Sequence, residues 1–376
     1  MPSTVILVTC EYPPFPGGIG TYSGRLAAVL AADGHRTIVI CPRYDGGQDL
    51  DEPTGIEYHR VLKHHGIRPI AAATLLRVLR RAPRDAILIA ADIRTLLLVH
   101  LLQPLHRRPY RVMVHGSEAH KFRDGSLLFK LVRRAYLSAD QVLYNSEATG
   151  AIFRAQVGQP KSDTVTYLGV DDAWFEDPLS SAFEHEALAE IPPEAKVFCS
   201  VGRLEPRKGQ IETVRALAFA RDRLSMDDPV YVVVGRAEDQ AYADAIMGEA
   251  RKYKLRTILT GKLSMDDVKR VYRRSTAHLL FARPLPGKVE GFGLVLLEAA
   301  AQKCPSIAAK TGGIPEVVAD TGLLVEPDNI EELASAVLRI TREPQAEATM
   351  GEAACRRAKD FSWRKCAERT FPSLYA

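Results

Sequence analysis

The strongest chemical pattern in the chain is Glu290-Gly291-Phe292-Gly293-Leu294-Val295-Leu296-Leu297-Glu298. An apolar run of strand length, His278-Leu279-Leu280-Phe281, precedes it, and a loop with Pro284, Pro286 and Gly287 joins the two. A strand that feeds a helix through a glycine-bearing turn leaves the first helical N–H groups unpaired and aimed at whatever sits there. Glycine lets backbone approach a ligand closely, and the helix dipole favours an anion at that end. Glu290 belongs to the loop before the helix. Glu298 lies four residues past Leu294, on the same helix face, and helical side chains lean back towards the N-terminus. One carboxylate before an anion cradle and one above it suit hydroxyls on either side of a phosphate, a sugar at one end and a ribose at the other.

Two further segments add to this pattern. Gly202-Arg203-Leu204-Glu205-Pro206-Arg207-Lys208-Gly209 follows the strand-like Lys196–Val201, and Thr311-Gly312-Gly313-Ile314-Pro315-Glu316 follows the strand-like Ser306–Ala309. A guanidinium fork at Arg203 and a mobile ammonium at Lys208 suit a diphosphate leaving group, with Arg207 as a neighbour. With the two carboxylates eight residues apart, these segments make the chain resemble the retaining, nucleotide-sugar-dependent glycosyltransferases of the GT-B fold, the GT4-like group. The resemblance extends over nearly the whole chain.

It implies two doubly wound, Rossmann-like α/β domains facing each other across a cleft. The N-terminal, acceptor-side domain is expected over 1–172 plus a returning C-terminal helix at 358–376, and the nucleotide-sugar domain over 180–357. It also implies a site. Arg203, Lys208 and the helix start at Gly293–Leu294 face the diphosphate, together with Gly291 and Phe292. Glu290 holds sugar hydroxyls, Glu298 the ribose, and the loop at Lys262 and Leu263 wraps the base. In the first half, Gly17 and Gly18 face the donor diphosphate and the acceptor, and His115 touches the transferred sugar or orients the acceptor, with Glu118 nearby. The implied reaction moves a hexosyl group from a UDP- or GDP-sugar to an acceptor hydroxyl with retention, in glycan, glycolipid or envelope polysaccharide synthesis. The nucleotide sugar is a substrate, and no cofactor is expected. Two other readings share the fold: a nucleotide-sugar 2-epimerase acting without an acceptor, and a nucleotide-binding, non-catalytic partner subunit.

The 376 residues suffice for two ordinary domains, and 46% hydrophobic content fits full cores. Six cysteines at 10, 41, 199, 304, 355 and 366 form no C-x-x-C pair. Three of them adjoin apolar runs, which points to buried reduced thiols and a cytoplasmic protein. The start, Met1-Pro2-Ser3-Thr4 leading into Val5-Ile6-Leu7-Val8, lacks the pattern of a signal peptide, and the Leu96–Leu102 run is too short to span a bilayer.

The net charge of +4 is uneven: residues 1–170 hold 21 Lys and Arg against 14 Asp and Glu. Seven of these cations fall between His59 and Arg84, where no acidic residue occurs. Within that span, Thr74-Leu75-Leu76-Arg77-Val78-Leu79-Arg80-Arg81 sets an apolar stripe edged by cations. It reads either as a surface helix packed on a sheet or as a contact with an anionic membrane or acceptor. Peripheral membrane contact and a lipid-linked or anionic acceptor follow from the second reading; a nucleic-acid partner is not expected.

The order of elements supports α/β winding. Val5–Cys10 reads as a buried strand, Ser23–Ala32 as a helix and Thr37–Cys41 as the next strand, a βαβ unit. The Gly17-Gly18 turn is not the G-x-G-x-x-G of dinucleotide sites, yet it follows a first strand, where ligands collect in open sheets. Asp49-Leu50-Asp51 is formally a D-x-D triplet but lies in a polar, glycine-rich loop, and a solvated loop is the preferred reading. No His/Cys cluster has metal-ligand spacing, so no metal is expected. The turn Leu168-Gly169-Val170-Asp171 departs from the family at Leu168, where asparagine is common. The polar stretch from Asp172 to Glu194 reads as a linker. The loop from Phe281 to Glu290 is longer than in some members and leaves the sugar open.

Overall fold

A computed structural model describes residues 3–15, 17–45, 52–116, 118, 126–180, 182–183 and 185–376. The triplet Asp49-Leu50-Asp51 falls outside them. The chain forms two compact units: unit 1 comprises Met1–Gly169 with Trp363–Ala376, and unit 2 comprises Val170–Ser362.

In unit 1 the elements run β1 (Thr4–Val8), α1 (Gly18–Ala32), β2 (Arg36–Pro42), β3 (Ile56–Leu62), α2 (Pro69–Arg81), β4 (Ile87–Ala90), α3 (Ile93–Leu101), α4 (Gln103–His106), β5 (Arg111–Val114), α5 (Leu127–Ser138), β6 (Gln141–Tyr144), α6 (Glu147–Gln156) and β7 (Asp163–Val165). The strands form one parallel sheet in the order β3-β2-β1-β4-β5-β6-β7. Its inner strands are apolar on both faces because helices cover both: every residue of β1 is buried.

Unit 2 continues with α7 (Glu186–Ala189), β8 (Lys196–Val201), α8 (Gln210–Leu224), β9 (Pro229–Val234), α9 (Gln240–Lys252), β10 (Thr257–Gly261), α10 (Met265–Arg274), β11 (Ala277–Leu280), α11 (Leu294–Ala301), β12 (Ser306–Ala309), α12 (Ile314–Val318), β13 (Leu323–Val325), α13 (Ile330–Arg342) and α14 (Pro344–Ala358). Its parallel sheet has the order β10-β9-β8-β11-β12-β13. Two apolar layers, one around Phe198, Tyr231 and Phe281 and one around Cys199, Val232 and Tyr272, cover its faces. Helix α15 (Trp363–Thr370) returns to unit 1, where the Arg111 guanidinium donates to the Thr370 carbonyl at 2.5 Å and Arg364 pairs with Asp33.

Each sheet is doubly wound, and each reverses direction once, between β1 and β4 in unit 1 and between β8 and β11 in unit 2. The crevice beyond the carboxyl ends of such a strand pair is where ligands bind in open α/β sheets.

Four local readings change. Helix α1 begins at Gly18, five residues before the expected Ser23, because the Gly17 carbonyl already accepts from the Thr21 N–H at 2.9 Å. Strand β3 was not anticipated; its mixed Ile-Glu-Tyr-His-Arg sequence belongs to a sheet edge with partial exposure. The apolar run Leu96–Leu102 does not continue as one helix: α3 ends at Leu101 and α4 begins at Gln103, because Pro104 removes an N–H donor at the junction. The stretch expected as a linker is packed on unit 2: Leu188 is in the core, Trp174 sits edge-on to Tyr272 at 6.2 Å, and the Trp174 carbonyl accepts from Gln302. All six cysteines are free and buried.

Candidate active site

The reversal in unit 2 brings together the loops after β8 and β11, which hold the segments singled out by their chemistry. After β8, Pro206–Lys208 makes one 3-10 turn and Gly209 opens α8 at φ 71°. A β-carbon there would lie 2.0 Å from the Phe281 carbonyl oxygen, so only glycine allows this approach. After β11 the chain makes a small hairpin at Leu285–Lys288, pinned by Arg283 to Glu212 at 2.7 Å and Asp328 at 2.6 Å. It then delivers Glu290 to the end of β8. The turn at Gly312-Gly313 seats it: the Gly313 N–H donates to the Glu290 carbonyl at 3.0 Å, and a β-carbon on Gly312 would stand 1.9 Å from that oxygen.

Glu290 is buried and its Oε2 accepts from two cations, Lys208 Nζ at 2.6 Å and the Arg207 guanidinium. Arg207 also donates to Glu205 Oε1 at 2.6 Å. Burial alone would raise the Glu290 carboxyl, but the charges of Lys208 and Arg207 outweigh it and hold the group down at about 2. Glu290 is therefore a carboxylate at neutral pH, and the Lys208 side chain beside it is only 11% exposed.

Arg203 reaches that cluster only through Glu205. Its side chain is 56% exposed and pairs with Glu238 at 2.9 Å and Glu205 at 3.5 Å. Of the three cations after β8, Arg207 and Lys208 reach Glu290, because the 3-10 turn aims both inward. The sequence reading places Arg203 and Lys208 at the diphosphate and Arg207 only as a neighbour; Glu205-Pro206-Arg207-Lys208 holds the two cations that meet Glu290.

Gly291, Phe292 and Gly293 are buried, and the Phe292 ring meets Phe361 edge-on at 5.9 Å. Gly293 is the N-cap of α11 and Leu294 its first residue, with no acidic side chain in the first turn. Glu298, on α11, is half-buried. Burial and the charge of Asp171 push its carboxyl up to about 7, only partly countered by Lys208 and the Tyr272 hydroxyl. Asp171 and Tyr272 were missed as neighbours; no local pattern joins them to Glu298.

This raised value has a measurable sign. A carboxyl whose folded pKa lies above its ordinary 4.5 contributes stability that is complete below 4.5 and lost as pH rises through about 7. Urea unfolding across that window is expected to show a decline in wild type that Glu298→Gln lacks. An identical pH profile in both proteins would remove Glu298 as the source.

Lys262 and Leu263 follow β10, two strands from β8; Lys262 is exposed and Leu263 packs partly on the core. No hydrogen bond or ion pair among the described residues ties either to the Glu290 cluster.

In unit 1, Gly17 caps α1 and Gly18 begins it, after β1. His115 follows β5. Its backbone N–H donates to Glu118 Oε1 at 3.0 Å, its carbonyl accepts from Asn145 at 2.9 Å, and Tyr22 meets its ring edge-on at 5.2 Å. Glu118 thus holds the backbone of His115. Ring Nε2 lies 3.0 Å from the Ala91 carbonyl, which can only accept, so Nε2 carries the hydrogen and Nδ1 is left as the acceptor. Burial lowers the imidazole pKa, which keeps this neutral form. Among the described residues no group of three or more His, Cys, Asp or Glu has metal-holding geometry.

Two parallel, doubly wound units, one with a buried Glu–Lys–Arg cluster at its strand reversal, are the architecture of the GT-B class. Residues 16–174 match the family described as Glycosyltransferase Family 4, and residues 183–357 match Glycosyl transferases group 1. The chain is 27% identical to the GDP-mannose-dependent alpha-(1-6)-phosphatidylinositol monomannoside mannosyltransferase of Mycolicibacterium smegmatis, over 96% of this chain and 95% of that one. It is 31% identical to the D-inositol 3-phosphate glycosyltransferase of Kribbella flavida over 62% and 55% of the two chains. Among solved structures, Anabaena HepE in complex with UDP superposes with a TM-score of 0.81, 20% identity and 99% of both chains covered. The chain belongs to the GT4-like glycosyltransferases.

Proposed function

We propose that the protein moves a hexosyl group from a nucleotide diphosphate sugar to an acceptor hydroxyl, with retention at the anomeric carbon and without a metal. The observation that carries this reading is the buried Glu290–Lys208–Arg207 cluster at the strand reversal of unit 2. In the unliganded protein Glu290 neutralises two cations. A bound diphosphate competes for them, and the freed carboxylate is then available to sugar hydroxyls. As the anomeric C–O bond to phosphate breaks, charge builds on the diphosphate. Lys208, Arg207, Arg203 and the N–H groups of the α11 start are the stabilising groups, already oriented before reaction. The acceptor oxygen forms the new bond on the same face, and its proton passes to the leaving phosphate oxygen. Glu298 takes the ribose hydroxyls. His115, neutral, accepts at Nδ1 a hydrogen bond from a hydroxyl of the sugar or the acceptor and transfers no proton.

Relatives that cover 96% of the chain are named as GDP-mannose-dependent phosphatidylinositol monomannoside mannosyltransferases, so GDP-mannose is the first donor to try and a lipid-linked acceptor the first class. The test is a thermal-shift panel of GDP-, UDP- and ADP-sugars. A true donor at about a hundred times its Kd stabilises the fold by about 2.7 kcal/mol; the stabilising donor is then given acceptor, and the product anomer is read by NMR. An inverted product would end the retaining proposal. Conversion of the sugar to its epimer without acceptor would favour the isomerase.

Membrane contact is proposed from the first half. Arg77, Arg80, Arg81 and Arg84 are exposed on and just beyond α2, and α4, which packs on α2, exposes Leu105 to 69%. No helix among the described residues is long and apolar enough to cross a membrane. Vesicles with anionic lipid are expected to sediment the protein at low salt, and Arg77→Glu/Arg80→Glu/Arg84→Glu to release it. Equal sedimentation of wild type and triple variant would reject this face.

A further inference from the structure

One hydroxyl joins α10 to the start of α11. Tyr272, on α10, is fully buried, and its Oη donates to the Val295 carbonyl at 3.2 Å. Val295 is the second residue of α11 and Glu298 lies three residues on, so Tyr272 meets the face of α11 that carries this carboxyl. The same hydroxyl is a hydrogen-bond partner of Glu298. Neighbouring rings fix the phenol in place. Trp174 meets it edge-on at 6.2 Å, and His278, from β11, edge-on at 5.6 Å. Trp174 belongs to the 3-10 turn Asp172–Phe175, and its N–H donates to the Asp171 carbonyl at 2.9 Å. The packing that holds Tyr272 therefore also brings Asp171 beside Glu298.

A phenol has one hydrogen, and two acceptors compete for this one. An ionised Glu298 draws it, because a carboxylate is the stronger acceptor. The Val295 carbonyl gives it up at little cost, since the helical ladder also serves that oxygen. Beside a protonated Glu298 the hydrogen returns to the carbonyl, and the phenol oxygen can accept from the acid. The charged groups facing Glu298 are Asp171 from the 3-10 turn and Lys208 from the tip of β8, and α11 carries no other. Burial pushes His278 down to about 3, with Lys208 adding to it, so that ring stays neutral behind Tyr272. Burial also pushes the Tyr272 phenol well above its ordinary range, so it remains a donor.

We infer that Tyr272 is a positioning residue for the ribose of the donor, holding the Glu298 carboxylate in the orientation that accepts from the ribose hydroxyls. The inference rests on the transferase reading and names the residue behind its ribose-binding acid. Tyr272 itself touches no substrate. A carboxylate already tied at one oxygen has less freedom to lose when ribose arrives. Ribose hydroxyls donate best to the ionised acid, so nucleotide binding near neutral pH releases a proton from Glu298, and the phenol eases that release.

The full chain is titrated by calorimetry with GDP and UDP, and with their dideoxyribose analogues, which lack both ribose hydroxyls, over about pH 5.5–8.5. Each pair shares one diphosphate, whose own titration cancels in the ratio of affinities. Wild type is expected to prefer ribose about tenfold at the alkaline end, the preference fading as pH falls through about 7. Tyr272→Phe keeps the ring, and its melting temperature checks the fold. It is expected to cut the preference at neutral pH about threefold and to move the midpoint up by about half a pH unit or more, because a bond that lowers the Glu298 pKa is gone. Its urea profile shifts the same way, the loss of stability assigned to Glu298 setting in at higher pH. In a Glu298→Gln background Tyr272→Phe is expected to change none of these, which loosened packing alone would not reproduce. A Tyr272→Phe protein with the wild-type preference and midpoint overturns the assignment and leaves the donor reading intact, as do effects that persist undiminished in Glu298→Gln. A wild type that binds no nucleotide, or binds it without preferring ribose, defeats the ribose role of Glu298 and this inference with it.

Discussion

Lys208→Ala is expected to lower kcat for sugar transfer by about 10²- to 10³-fold, the usual loss when one preorganised group is removed from a developing charge. The side chain is positioned for this by three features. It ends a 3-10 turn at the tip of β8, Gly209 locks the turn against Phe281, and Glu290 holds the ammonium at 2.6 Å. With so little solvent around it, its charge is worth more than a surface lysine's. Lys208→Arg is not expected to restore the rate, since a planar fork does not replace a compact ammonium in a packed pocket. Steady-state kinetics with the donor found in the thermal panel provide the measurement. A kcat within about threefold of wild type would take Lys208 out of the reaction, because that loss is smaller than one well-placed hydrogen bond provides.

Glu290→Ala should abolish transfer and also destabilise unit 2 by about 3–5 kcal/mol, the cost of stranding buried charge. Arg207 keeps Glu205, but Lys208 loses its acceptor. The carboxylate is structural before it is functional. Its folded pKa of about 2 lies below the ordinary 4.5, so its contribution is present above 4.5 and fades as pH falls through about 2. Urea melts at neutral and acid pH measure both effects. Lys208→Met in the Glu290→Ala background should recover part of the loss, since Lys208 is the cation left without its acceptor, and a double-mutant cycle isolates the coupling. Additive effects of the two substitutions would mean that the pair is not energetically linked.

What could be read locally was read from the chain itself. Buried parallel strands announce themselves as short apolar runs, and Val5–Val8, Pro229–Val234 and Ser306–Ala309 are such runs. The acid-bracketed glycine turn is likewise local, since both carboxylates lie within one loop and one helix, and the helical period sets their spacing. The edge strand Ile56–Leu62 was not legible, because partial exposure mixes polar and apolar residues. Tertiary structure decided which groups meet. Arg207 and Glu290 are 83 residues apart, and they touch because β11 pairs with β8 although β9 and β10 come between them in the chain. Sequence spacing carries no record of that strand order. The same holds for the direction each cation points, for the Asp171 charge beside Glu298, and for the carbonyl of Ala91 that chooses the tautomer of His115. Residue types determined which chemistry was possible; long-range packing determined which atoms were placed to perform it.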